Sequence, residues 1–226
     1  MDDILDPFEI RVLAVLAEKE GLTPDNYPLS LNALTNGCNQ LSSREPVMQI
    51  SEDTVADVLA RLGERKLVST VSQSGARVVK YEHRMRMKWT LEQDKLAVLT
   101  ILMLRGPQTA GEIRTRTGRM HEFKSVADVE AALQFLIDKY PPLVAKLPLA
   151  PGSREPRYGH LLGGEDALAR DATAGAFGGA AGGAGEGAGS GSRADRVAAL
   201  EQEVASLREE VAALAAQVAE LRAVIE

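Results

Sequence analysis

The sequence predicts a mainly α-helical chain with small β-hairpins, an α+β arrangement of two tandem winged-helix domains followed by a C-terminal coiled-coil helix. Three observations predict it: three helical segments and a hairpin occur in that order twice, a glycine- and alanine-rich stretch follows, and a heptad pattern ends the chain. The expected units are residues 1–83 and 84–162 for the two domains, 163–192 for a flexible linker and 193–226 for the coiled-coil helix.

In the first domain, Phe8, Val12, Val15 and Leu16 form one stripe of an amphipathic helix that starts near Pro7 and stops near Gly21. Pro24 and Pro28 enforce an extended stretch, and Ser30 can cap a short helix from Leu31 to Cys38. Ser51 can cap a third helix with Glu52 and Asp53 in its first turn and Val55, Val58, Leu59 and Leu62 on its buried side. The period then changes to two, and Leu67–Val71 and Arg77–Tyr81 read as a hairpin.

The second domain repeats the order. Thr90-Leu91-Glu92-Gln93 reads as a capping box for a helix carrying Leu96, Leu99 and Met103, which Gly106-Pro107 stops. A short helix around Ala110–Arg116 follows, then one capped by Ser125 with Val129, Leu133, Leu136 and Ile137, then a hairpin of Leu143–Leu147 and Arg157–Leu161. Val55-Ala56-Asp57-Val58 recurs as Val126-Ala127-Asp128-Val129, and Leu13-Ala14-Val15-Leu16 as Leu96-Ala97-Val98-Leu99.

Eleven glycines among residues 163–192 predict a stretch that buries too little apolar surface to offset its ordering entropy. Beyond it Val197, Leu200, Val204, Leu207, Val211, Leu214, Val218, Leu221 and Ile225 alternate spacings of three and four. β-Branched residues at a with Leu at d predict a parallel homodimer.

Composition narrows the function classes. The 45% hydrophobic content supports a core in each domain, while the 4% aromatic share places core packing on aliphatic side chains. No run approaches the ~18 apolar residues of a membrane span, and the acidic N-terminus is unlike a signal peptide, so the expectation is a cytoplasmic protein without membrane contact. Cys38 is the one cysteine, and His83, His121 and His160 lie in different elements; no nucleophile, metal or cofactor pattern emerges, and the expectation is a non-enzymatic protein.

Two constellations could bind nucleic acid. Asn32, Asn36, Asn39, Gln40, Ser42, Ser43 and Arg44 gather amides, hydroxyls and a guanidinium that suit base edges and phosphates, or that satisfy backbone groups of a long loop. Between Arg61 and Lys88 eight basic residues face two acidic ones within a chain of net charge −6. Of these, Arg77, Lys80, Arg84, Arg86 and Lys88 are the expected phosphate contacts, with Arg84, Arg86 and Lys88 alternating with Met85, Met87 and Trp89 as in a strand. The third helix of each domain, the usual major-groove reader, instead opens with Glu52, Asp53 and Asp57, or Asp128 and Glu130. The reading is therefore a DNA-associated regulatory protein, with a protein-interaction adaptor as its rival.

The stretch Thr23–Asn36, continuing through Cys38-Asn39-Gln40 to Arg44-Glu45-Pro46-Val47-Met48, resembles the signature of the YceH family of bacterial proteins. Gly118–Phe123 and Arg154–Leu161 match it as well, so the resemblance spans about residues 5–165. It implies a tandem winged-helix fold in a bacterial cytoplasm and brings no assigned activity or site residue.

Overall fold

The computed structural model describes residues 4–71, 78–149 and 153–178, all within the first of two compact units, Met1–Ala181. The predicted coiled-coil seam, Val197 to Ile225, lies outside the described residues.

The described chain is mainly helical with two small antiparallel sheets, as the sequence predicts. Helix α1 (Pro7–Leu22) begins where the Asp6 carboxylate accepts from the Phe8 and Glu9 N–H groups, and the Glu9 side chain accepts in return from the Asp6 N–H. Strand β1 (Leu29–Ser30) runs into α2 (Leu31–Cys38), and Ser51 caps α3 (Glu52–Glu64). Strands β2 (Val68–Val71) and β3 (Lys80–His83) follow, and the sheet order is β1-β3-β2, with Leu29 opposite Tyr81 and Val68 opposite His83.

After the short helix α4 (Met85–Trp89), the order recurs as α5 (Gln93–Arg105), α6 (Ala110–Thr117), α7 (Val126–Ile137) and the pair β4 (Val144–Lys146) and β5 (Tyr158–His160). The α6 and α7 starts carry full capping boxes, Thr109 with Glu112 and Ser125 with Asp128.

The two repeats share one hydrophobic core. Helix α1 packs on α2 and α3 on one side and on α5 on the other, so Val12 through Ala17 are all buried, as are Leu96 through Leu104 in α5. A helix covered on both sides needs no polar face, and this corrects the single-stripe expectation. Phe8, placed in that stripe, is 42% exposed.

Three further expectations change. Met85–Trp89 is helical, because Met85 and Trp89, four residues apart, both reach the core while Met87 is exposed; spacing of two and of four coincide over so short a run. Thr90 closes α4 at a φ of 50°, and Glu92 stands at the α5 N-cap without a side-chain cap bond, so the Thr90 capping box does not form. The stretch assigned to a flexible linker begins with a helix, α8 (Glu165–Gly178), because Leu168 is buried against β5.

Candidate functional site

The Asn- and Arg-containing loop between α2 and α3 is held from within. Asn39 clasps Ile50 at two points, Nδ2 donating to its carbonyl and Oδ1 accepting from its N–H, both at 2.8 Å. Arg44, a candidate either for phosphate contact or for satisfying the loop backbone, has a side chain with no exposure and faces Glu18 at 3.1 and 2.6 Å. Its guanidinium also donates to the carbonyls of Gly37 and Ser43 and to Gln40 Oε1. Arg11, buried beneath, donates to the Cys38 and Pro46 carbonyls, and burial lowers its pKa. These groups satisfy backbone that the loop would otherwise bury unpaired. Asn39 and Arg44 thus serve the loop, whereas Asn36 is exposed on α2 and donates to Asn32 Oδ1. The loop's outer side shows Leu41, 82% exposed, and Val47.

Much of the basic run is neutralised by neighbouring carboxylates. Arg86 donates through Nε and Nη2 to Glu20 Oε2 at 3.1 and 2.8 Å. Arg84 donates to Ser69 Oγ at 2.9 Å and lies 3.7 Å from Glu82. Arg61 reaches Asp6 and Glu9, and Arg65 reaches Glu9. Lys80 is half-buried in β3, Lys88 is exposed, and Arg77 lies outside the described residues.

Glu20 is the hub of a polar cluster joining α1, β3, α4 and α5. His83 Nε2 lies 3.3 Å from Glu20 Oε2, poorly aligned for a hydrogen bond, while its Nδ1 accepts from the Met85 N–H. The contacts to His83 and then to Arg86 outweigh desolvation and hold the Glu20 carboxyl down at about 2. The Tyr27 hydroxyl accepts from the His83 N–H, and burial pushes its pKa up. Sequence reasoning missed Glu20; its partners lie more than sixty residues away in the chain.

The exposed starts of α3 and α7 keep their acid. Glu52, Asp53 and Asp57 on α3, and Asp128 and Glu130 on α7, all face solvent. Farther along α7, the exposed Phe135 ring lies beneath two ammonium groups, Lys95 Nζ at 5.3 Å and Lys139 Nζ at 5.1 Å from its centroid.

Cys38 and His160, two candidates for chemistry among the described residues, are both buried. Burial raises the Cys38 thiol to about 12, which keeps it protonated and unreactive, and lowers His160 to about 4. Among the described residues no three His, Cys, Asp or Glu side chains gather as metal ligands, and no helix is long and apolar enough to cross a membrane.

A family model described as a protein of unknown function, DUF480, matches residues 5–153, two thirds of the chain. The chain belongs to the DUF480 family. A UPF0502 protein of Herminiimonas arsenicoxydans is 64% identical over 209 residues, covering 89% of this chain and 82% of its own length. One from Janthinobacterium is 61% identical over 201 residues with the same coverage, and one from Citrifermentans bemidjiense is 46% identical over 210 residues, covering 90% of each. Coverage of 89% of this DUF480 chain requires the Herminiimonas match to run into residues 193–226.

Proposed function

We propose that this DUF480 chain is a protein-interaction adaptor of the YceH type. In this reading the two repeats are winged-helix modules fused through α1 and α5, and they present their third helices to a protein partner. The supporting observation is the exposed acid of Glu52, Asp53, Asp57, Asp128 and Glu130, placed where a groove-reading helix would approach phosphates. The internal pairing of Arg44, Arg84 and Arg86 removes much of the opposing argument. The C-terminal heptads add a homodimeric arrangement, so that two bodies act together on a partner.

A nucleic-acid reading is favoured by a different observation: Lys88 and Asn36 are exposed and Lys80 is half-exposed. Fluorescence anisotropy with a random duplex at ~50 mM salt separates the two readings, because even non-specific phosphate contacts are strong there. The adaptor reading expects a flat titration from folded protein. It also expects that crosslinked partners survive nuclease and are lost from Asp53→Lys/Asp57→Lys, through disrupted charge complementarity. A salt-dependent DNA titration that Lys80→Ala/Lys88→Ala flattens replaces this reading with the nucleic-acid one.

A further inference from the structure

The turn joining α5 to α6 gathers three guanidinium groups. Arg105 ends α5, and its Nη2 donates to Ser43 Oγ at 2.6 Å. Arg116, on the last turn of α6, donates to Gln108 Oε1, and its Nη2 stands 4.0 Å from Glu112 Oε1. Arg157, just before β5, donates through Nη1 to the Pro107 carbonyl at 2.8 Å and lies 3.5 Å from Glu112 Oε2.

The frame holding these groups is built from buried polar contacts. Gln108 is 1% exposed; its Nε2 donates to the carbonyls of Ile101 and Gly106, and its backbone N–H and carbonyl both pair with Tyr158. The loop carrying Ser43 is fixed to α5 by the Glu45 N–H, which donates to the Leu104 carbonyl at 2.8 Å. Ser43 itself sits at a φ of 62°, a left-handed conformation that a non-glycine residue adopts only where its surroundings impose it.

Charge around the turn is out of balance. Glu112 is the one carboxylate within 4.0 Å of these three arginines among the described residues, and its Oε2 already accepts from the Thr109 N–H. Arg105 has no carboxylate within that distance among the described residues. Glu18, which acts on it from farther away, is engaged by Arg44, and Glu45 is the other carboxylate acting on it. Burial and the nearby charge of Arg116 lower the Arg105 pKa, as expected for a desolvated cation beside another cation.

We propose that this turn is an oxyanion site, holding a phosphate group between Arg105 and Arg116 with Ser43 and Arg157 beside it. Two planar forks fixed by other hydrogen bonds suit the several oxygens of a phosphate better than a single-point anion such as chloride. Ser43 comes from the first repeat and the arginines from the second, so an occupied site would tie the α2–α3 loop to the α5–α6 turn. The inference does not depend on the adaptor reading.

Amide NMR of the full chain tests it, with inorganic phosphate titrated against chloride at constant ionic strength. Saturable shifts centred on Ser43, Gly106, Gln108 and Thr109 are expected, with affinity about tenfold weaker in Arg105→Gln, as loss of one charge-assisted fork implies. Arg116→Gln gives the same reading if Arg105→Gln does not fold. Parallel titrations with adenosine monophosphate and adenosine identify the source: tighter binding of the monophosphate than of phosphate assigns a phosphate ester, and equal binding assigns free phosphate. Shifts that rise linearly and match those in chloride, or an unchanged affinity in both folded variants, overturn the proposal.

Discussion

Arg44 meets Glu18 at two points, Nη1 to Oε1 at 3.1 Å and Nη2 to Oε2 at 2.6 Å, and this pair fastens the α2–α3 loop to α1. A buried ion pair gives little net stability relative to an apolar replacement, but removing one partner leaves the other underpaired; without Arg44, Glu18 keeps only Lys19 among the described residues, 3.3 Å from its Oε2. Arg44→Leu should therefore cost about 3–5 kcal/mol in urea denaturation, and adding Glu18→Leu should recover part of that. A loss below about 1 kcal/mol would mean that the pair behaves as a solvated surface bridge.

A buried histidine, His160, and the half-buried carboxylate Glu20 give the protein separate acid-sensitive windows. Burial lowers His160 from 6.5 to about 4, so the unfolded chain takes up this proton first as pH falls, and stability declines from about 6.5 to about 4. His160→Leu should flatten that part of a stability-versus-pH curve measured by chemical denaturation. A wild-type curve level across this window would show that His160 titrates equally in both states.

Glu20 acts lower. Its folded pKa of about 2, against 4.5 for an ordinary Glu, means that its stabilisation is complete above about 4.5 and is lost as pH falls toward 2. The stability gap between wild type and Glu20→Gln should therefore be largest near neutrality and shrink below pH 4.5. A gap constant down to pH 2 would point to hydrogen bonding alone, which the amide retains.

Gly159 sits directly under α8. A Cβ added there would lie 2.1 Å from Leu168 Cδ1 and 3.5 Å from Pro107 Cγ, so Gly159→Ala must displace the leucine. The expected cost is about 1–3 kcal/mol, with faster amide exchange confined to α8 and the end of β5. Adding Leu168→Ala should relieve the clash. Unchanged α8 protection in Gly159→Ala would show that Leu168 moves aside without loosening the helix.

Where the sequence reads well, the interaction is local. The Ser30, Ser51 and Ser125 caps and the Val55, Val58, Leu59 and Leu62 stripe involve residues a turn apart, and the structure reproduces them. The buried polar frame escaped because its partners are distant: Arg44 and Glu18 are 26 residues apart, and Arg86 and Glu20 are 66 apart. One signal was available. Arg11 and Glu18, two turns apart on one side of α1, bracket the wholly apolar Val12–Ala17, and charges flanking a helix buried all round must find partners inside. Helix α8 was hidden by averaging over its segment, since Leu168 lies near the start of a stretch whose later glycines dominate its composition.

The heptad seam predicts a dimer. Its nine apolar positions alternate without interruption, and Arg196 with Glu201 and Glu203 with Arg208 are spaced for pairing between parallel helices. A lone helix with so narrow a stripe gains little by folding alone, since isolated helices of modest length are marginal in water. The full chain should therefore be a dimer at micromolar concentration by light scattering. A chain ending at Gly178 retains the shared core of α1 and α5 and should be a folded monomer. Leu207→Lys with Leu214→Lys, which places two charges in the seam, should dissociate the full chain while leaving the His160 and Glu20 pH windows unchanged. A full chain already monomeric at that concentration rules out the seam as the dimer contact, and a dimer that survives both changes moves the contact to the body itself.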